Sequence, residues 1–418
     1  MLTKAPGRGV SAPPIGLPGM HFVAALCFLL LGASGAVWVA PELAAGAYPS
    51  LRVVGVVHLF TLGWLTTSIM GALYQFLPVA LGRPVASERV ARLTFALYVP
   101  GLALFVAGLV RSHAPLLLAG VAAFSSGIIL FLGNLGVTLR RAQRRDVTWW
   151  ALACAAVFLG VTLVLGAALS GNLRWGFLGA ARHTALGTHL HVALAGWVLL
   201  VIVGVSHRLM PMFLLSHGAR EHFAQYAVAL LAAGATALSV LHHVPVLGRE
   251  LPALLVGGGV VAFLLQAREF HVHRHRKALD PGLRLAASAL VFLAAALALA
   301  VVVVPGWASP RVSTAYVMLV LLGTSLFVAA HYYKIVPFLV WNHRFGPLAG
   351  TRPLPRVADL YSARAASVAS ALLVLGALTM TVAVASGIAA VVTLGGVVFT
   401  AGATLEAGQM VAVARRRP

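Results

Sequence analysis

The stretch THLHVALAGWVLLVIVGVSHRLMP, residues 188–211, has the length and apolarity of a membrane-spanning helix, yet it carries His189, His191 and His207. An ionisable side chain inside a span is costly enough to mark a functional site by default. Neutral imidazole is also a ligand that iron and copper both accept. His58 opens another apolar stretch, the adjacent His242 and His243 close a third in SVLHHVP, and His331 lies near the end of a fourth. Three imidazoles on facing helices can hold copper, and one or two can serve as axial ligands of a haem.

A repeat positions these histidines. Residues 58–78 read HLFTLGWLTTSIMGALYQFLP and residues 191–211 read HVALAGWVLLVIVGVSHRLMP. Both fit H-x4-G-W-x6-G-x6-P, which aligns His58 with His191, Trp64 with Trp197 and Pro78 with Pro211. Five matches in register are hard to credit to chance when the chain holds 16 His and 8 Trp. A degraded third copy ends on Pro337: PFLVWNH echoes PMFLLSH after Pro211, with His343 where the other has His217. The prolines are 133 and 126 residues apart, so each unit holds about four spans. The chain reads as one transmembrane domain, 1–418, with repeats at roughly 18–140, 148–270 and 284–411.

The rest of the chain agrees. Of 418 residues, 61% are hydrophobic and 9% charged, against about a quarter charged in ordinary soluble domains. Twelve apolar stretches of helix length lie at roughly 18–44, 53–81, 90–110, 115–138, 148–169, 186–214, 225–241, 251–267, 284–304, 313–340, 364–386 and 388–411. The expected fold is all-α: a polytopic membrane bundle of about 12 transmembrane helices in three pseudo-symmetric four-helix units. The net charge of +21 is topological and does not point to nucleic acid. With the N-terminus inside, 24 of the 30 basic residues fall on the inner side, which places both termini in the cytoplasm. Cys27 and Cys154, each inside a span and without a CxxC partner, read as small buried hydrophobes.

By depth, His58 and His191 lie near the outer face, and His242 and His243 return to it. His207 lies about 24 Å below His191 at 1.5 Å per residue, and with His331 it forms an inner group. His331 and Lys334, three apart, share a helix face; they form an inner polar site, with His207 around a second haem, or Lys334 snorkels to the interface. His189 and His191 differ by about 200° around the helix, so one interior site cannot take both. The repeat selects His191, and leaves His189 facing a neighbouring helix or the outer water layer. Trp64 and Trp197 sit mid-helix, where a flat macrocycle and a neighbouring helix are both open as partners. The histidines of HVHRHRK (His271, His273 and His275) read as a solvated loop.

This layout resembles subunit I of the haem–copper oxidase superfamily, and in particular its oxidase subunit I-like and NnrS-like membrane relatives. The segments HLFTLGWLTTSIMGALYQFLPVALGRP, HLHVALAGWVLLVIVGVSHRLMPMF and HYYKIVPFLVWNHRFGPLAG carry the likeness. The resemblance implies a haem of unspecified type with His58 as axial ligand. It places His191, with His242 and His243, where that family binds copper, and His189 stands beside them as a further candidate. It also implies an oxidoreductase-like role in the respiratory membrane of a bacterium, handling NO or O2. Without a CxxCH motif in the chain, electrons would come from quinol, a cytochrome or another respiratory subunit. The chain departs from the family at the start of helix 10, where RVSTAYVMLVLLGTS offers Tyr316 and Met318 but no His pair. Ala195 occupies the position four residues after His191 where oxygen-reducing members carry a tyrosine, and Glu406 is the single acid well inside a span. These departures leave the enzymatic activity open. A second reading is a membrane transporter or assembly factor whose two histidine layers line a path for haem, copper or protons.

Overall fold

The structure, a computed structural model, describes residues 14–241 and 249–418. Among them no strand forms, and twelve helices are long and apolar enough to cross a membrane. They are α1 (Gly16–Trp38), α2 (Leu51–Leu81), α3 (Glu88–Val110), α4 (Ala114–Arg140), α5 (Val147–Trp175), α6 (Ala181–Leu214), α7 (His222–Leu241), α8 (Glu250–Val272), α9 (Pro281–Val303), α10 (Pro310–Leu348), α11 (Ala363–Ser386) and α12 (Ala389–Arg415). The chain is therefore a multi-pass membrane protein whose α2, α6 and α10 are its most buried helices. Side chains stop the free N–H groups at several helix starts: Ser50, Ser87, Asp146, Asp280, Ser309 and Ser362 each accept from the N–H three residues on.

The packing repeats three times. Each unit is two packed pairs, α1–α2 with α3–α4, α5–α6 with α7–α8, and α9–α10 with α11–α12, and α3–α4 is the most extensive. The units join through α4–α5 and α8–α9, and α12 closes the ring against α1. Glycine sets one equivalent contact in each unit. A Cβ on Gly63 would lie 2.6 Å from Phe28 Cβ, on Gly196 2.7 Å from Phe158 Cβ, and on Gly323 3.0 Å from Phe292 Cβ. In each case a phenylalanine of the first helix fills the notch left by the missing side chain in the second.

These contacts correct the register of the third copy. Gly323 precedes Pro337 by 14 residues, whereas Gly63 and Gly196 precede their prolines by 15. The extra residue is absorbed in α2 and α6 by π-helical stretches, Leu59–Thr66 and Val192–Leu199, each beginning immediately after His58 or His191. α10 is regular α-helix at that depth. Its residue equivalent to His58 and His191, five before the notch glycine, is therefore Met318.

One face of the bundle, where α1 begins and α12 ends, carries most of the basic side chains; it is called the basic face below. There Arg208, three residues before Pro211, ion-pairs with Asp146 at the start of α5. Lys334, three before Pro337, does the same with Asp280 at the start of α9. The two pairs are equivalent under the repeat. Lys334 thus ties a helix start to its neighbour.

Candidate functional site

His58, His191 and His331 share one local design. Their Nδ1 atoms lie 2.7, 2.8 and 2.7 Å from the carbonyls of Val54, Gly187 and Phe327, one turn earlier. A carbonyl can only accept, so Nδ1 carries the proton and Nε2 is the free, unprotonated nitrogen. A metal-ligating histidine is commonly oriented in this way.

His58 does not meet His191. Its ring faces His189 across the gap between α2 and α6, with centroids 6.3 Å apart and planes within 23°. Both line a cavity of about 120 Å³ whose walls include Phe105, Leu159, Leu163, Leu194 and Trp197, with Thr61, Thr66 and Thr162 as polar points and Arg182 among its lining residues. Phe105 also meets His58 edge-on, 5.1 Å between centroids. The Nδ1 of His189 is buried and makes no well-formed hydrogen bond, the Thr162 backbone being its nearest candidate. A glycine makes room for this ring: a Cβ on Gly166 of α5 would lie 3.0 Å from His189 Cε1.

The expected separation of His189 and His191 around the helix is real, but its consequence is different. His191 turns to the next gap, between α6 and α10, where it meets Tyr316. Their rings are 6.1 Å apart with planes within 28°, and the hydroxyl is 3.5 Å from His191 Nε2. Tyr316 is two residues before Met318, as His189 is two before His191. The bundle therefore holds three equivalent slots. The first pairs His58 with His189, the second His191 with Tyr316, and the third, between α10 and α2, is assigned by the same register to Met318 and Val56. Val56 is again packed on a glycine, Gly35 of α1, whose Cβ would lie 2.8 Å from Val56 Cγ2.

The first slot can be tested against a metal centre. Imidazole nitrogen is a donor that iron accepts, and a haem takes one or two such donors. The two rings stack 6.3 Å apart with planes within 23° against apolar walls, so two neutral imidazoles border one cavity. The donor type present, neutral imidazole, is one that iron accepts.

The inner histidines form no common site. His207 Nε2 lies 3.4 Å from Glu221 Oε2, with Phe270 beside its ring. His331 packs between Phe327 and Phe213, and the Phe213 ring also lies under Lys334. A second haem shared by His207 and His331 finds no support in these partners. His242 and His243 lie outside the described residues. Among the described residues no group of three or more His, Cys, Asp or Glu is arranged to hold a metal. Trp64 packs against Tyr332, 4.9 Å between centroids, and Trp197 donates to Thr66 Oγ1 at 3.1 Å, so neighbouring helices engage both indoles.

Sequence reading missed Tyr316 and Arg182 as site residues and gave His189 a lesser place. The only signal for Tyr316 was the one-residue slip of the third copy, which becomes visible once Gly323 is set against Gly63. No family model matches the chain, and no curated protein matches it either. Fold and geometry carry the functional reading.

Proposed function

We propose that this membrane protein binds haem between α2 and α6, that His58 and His189 would hold it, and that it serves as an electron carrier related to the haem–copper oxidase subunits it resembles. One observation carries the reading: two buried imidazoles, 6.3 Å apart and nearly parallel, face an apolar cavity. Haem held by two imidazoles supplies one-electron transfer. The chain's own part is to fix both rings. The Val54 carbonyl holds His58 in the tautomer that frees Nε2, the notch at Gly166 seats His189, and the hydrocarbon walls exclude water. Arg182, among the residues lining the cavity, suits an acidic substituent of the macrocycle. Without a CxxCH attachment motif the haem would be held non-covalently.

The proposal extends to topology and partners. The basic face lies in the cytoplasm of a bacterial inner membrane, by the positive-inside rule, and electrons come from quinol or a cytochrome. Copper near His191, with His242 and His243, belongs to the same proposal. The alternative, a transporter or assembly factor for haem, copper or protons, calls on an inner histidine layer; the separate partners of His207 and His331 favour the first reading.

Purified protein should show a reduced-minus-oxidised visible spectrum of low-spin haem at one haem per chain. His58→Ala and His189→Ala should each abolish it, and His191→Ala should leave it largely intact. A colourless protein, or a band lost with His191 and kept without His189, overturns the assignment.

A further inference from the structure

Glu406 of α12 is wholly buried, and neither carboxyl oxygen has a hydrogen-bond partner. An ionised carboxylate without a partner in such a place costs several kcal/mol, so the group must be carried as the neutral acid. The ionisable groups that reach it electrostatically are Tyr332 and Tyr333 of α10. The other helices packed on α12 turn none toward it: α11 carries only Arg364, exposed at its first turn, in α1 His21 turns to Tyr74 and Phe95 while Cys27 is exposed, and in the short helix Ala40–Ala44 Glu42 pairs with Arg52.

The acid is nevertheless not sealed in hydrocarbon. On one side Tyr332 hydrogen-bonds Ser68 of α2 at 2.7 Å, beneath Trp64, whose Nε1 is also buried without a partner. On the other side a polar seam leads to the basic face. With the Gln409 amide turned so that its oxygen meets donors, that oxygen accepts from the Tyr333 hydroxyl at 3.2 Å and from Ala366 N–H at 3.0 Å, and its nitrogen donates to the Ser362 carbonyl at 3.0 Å. Ser362 starts α11 at the basic face. Unpaired buried donors and acceptors gathered at one level are what internal water satisfies.

We propose that Glu406 is a proton-exchange site, connected to water at the basic face through the Tyr333–Gln409–Ser362 seam. The Oε–H bond breaks, the proton leaves as hydronium along water in the seam, and the return step restores the acid. This site needs no haem, so its test is independent of the reading above.

Infrared spectroscopy of the purified full chain tests it. A protonated-carboxyl C=O band should be present at neutral pH, vanish in Glu406→Gln, and shift within seconds of transfer to D2O. In Gln409→Leu the band should remain while its exchange slows by roughly tenfold or more. Should Glu406→Gln not fold, an adduct of dicyclohexylcarbodiimide, which requires a protonated carboxyl, should map to Glu406 in the wild-type chain. Absence of both band and adduct overturns the proposal, as does exchange unaltered by Gln409→Leu. So does protection of Glu406 from the carbodiimide by sodium ions, which would make it a cation site.

Discussion

The first and second slots are built on the same backbone and differ by one decisive side chain. Each begins with a histidine anchored to the carbonyl one turn back and followed by eight π-helical residues. Each faces a ring from the next central helix at nearly the same separation, 6.3 Å in one and 6.1 Å in the other. The first opposing ring is an imidazole, whose Nε2 can ligate a metal. The second is a phenol, which at 3.5 Å can at most share a hydrogen with His191. In the third slot the register sets Met318 and Val56, neither of which brings a ring. Repetition thus supplied three frames, and side-chain chemistry furnished them unequally. The most direct way to break this comparison is to make the first slot resemble the second. His189→Tyr should replace a low-spin, two-histidine spectrum by a high-spin one or by loss of haem, a change visible without any assay of activity. If the spectrum stays low-spin, His189 is not a ligand and the slots are not distinguished by their opposing ring.

The parts of this arrangement that were legible in the sequence are those written along a single helix. H-x4-G-W-x6-G-x6-P marked α2 and α6 because position, glycine notch and proline all repeat within one span. The threefold architecture followed from the spacing of three prolines. What the sequence did not disclose depends on the ring of helices being closed. A helix in the centre of such a ring borders two slots, so His189 and His191, opposed on one helix, both face protein. One interior site cannot take both rings, but the bundle offers each ring its own gap. The third copy was obscured because α10 lacks the π turn, which moves Met318 and Tyr316 out of the frame by one residue.

At the basic face the same repeat made a second pair of equivalents that differ in environment. The side chains of Lys334 and Asp280 are 13% and 22% exposed, and those of Arg208 and Asp146 are 45% and 29% exposed. Water screens the second pair more and can solvate either partner if the other is removed. Lys334→Ala should therefore lower thermal stability in detergent by about 2 kcal/mol, leaving Asp280 to the more distant Arg276, at 3.8 Å. Arg208→Ala should cost about 1 kcal/mol or less. Equal losses would mean that burial does not separate the two pairs.

The smallest effect expected is one of pH, at Asp146. Partial burial alone would push its carboxyl up. The Trp149 N–H and the Arg208 guanidinium outweigh that, and hold it below the usual carboxylate range. A carboxyl depressed in the folded chain binds protons less readily there than when unfolded. Its contribution is therefore present above the ordinary aspartate range and is lost as pH falls through the lowered folded value. Asp146→Asn keeps an oxygen for the Trp149 N–H but removes the charge, so it should flatten the acid limb of the stability profile while sparing the helix start. Arg208→Ala should flatten the same limb, because the guanidinium, with the Trp149 N–H and His207, is one of the groups that lower this carboxyl. Thermal unfolding of the three proteins from neutral pH down to about pH 2 decides it. An acid limb identical in all three would show that the Arg208–Asp146 pair is a surface contact without energetic weight, and would leave the Lys334–Asp280 pair as the one that fastens a helix start.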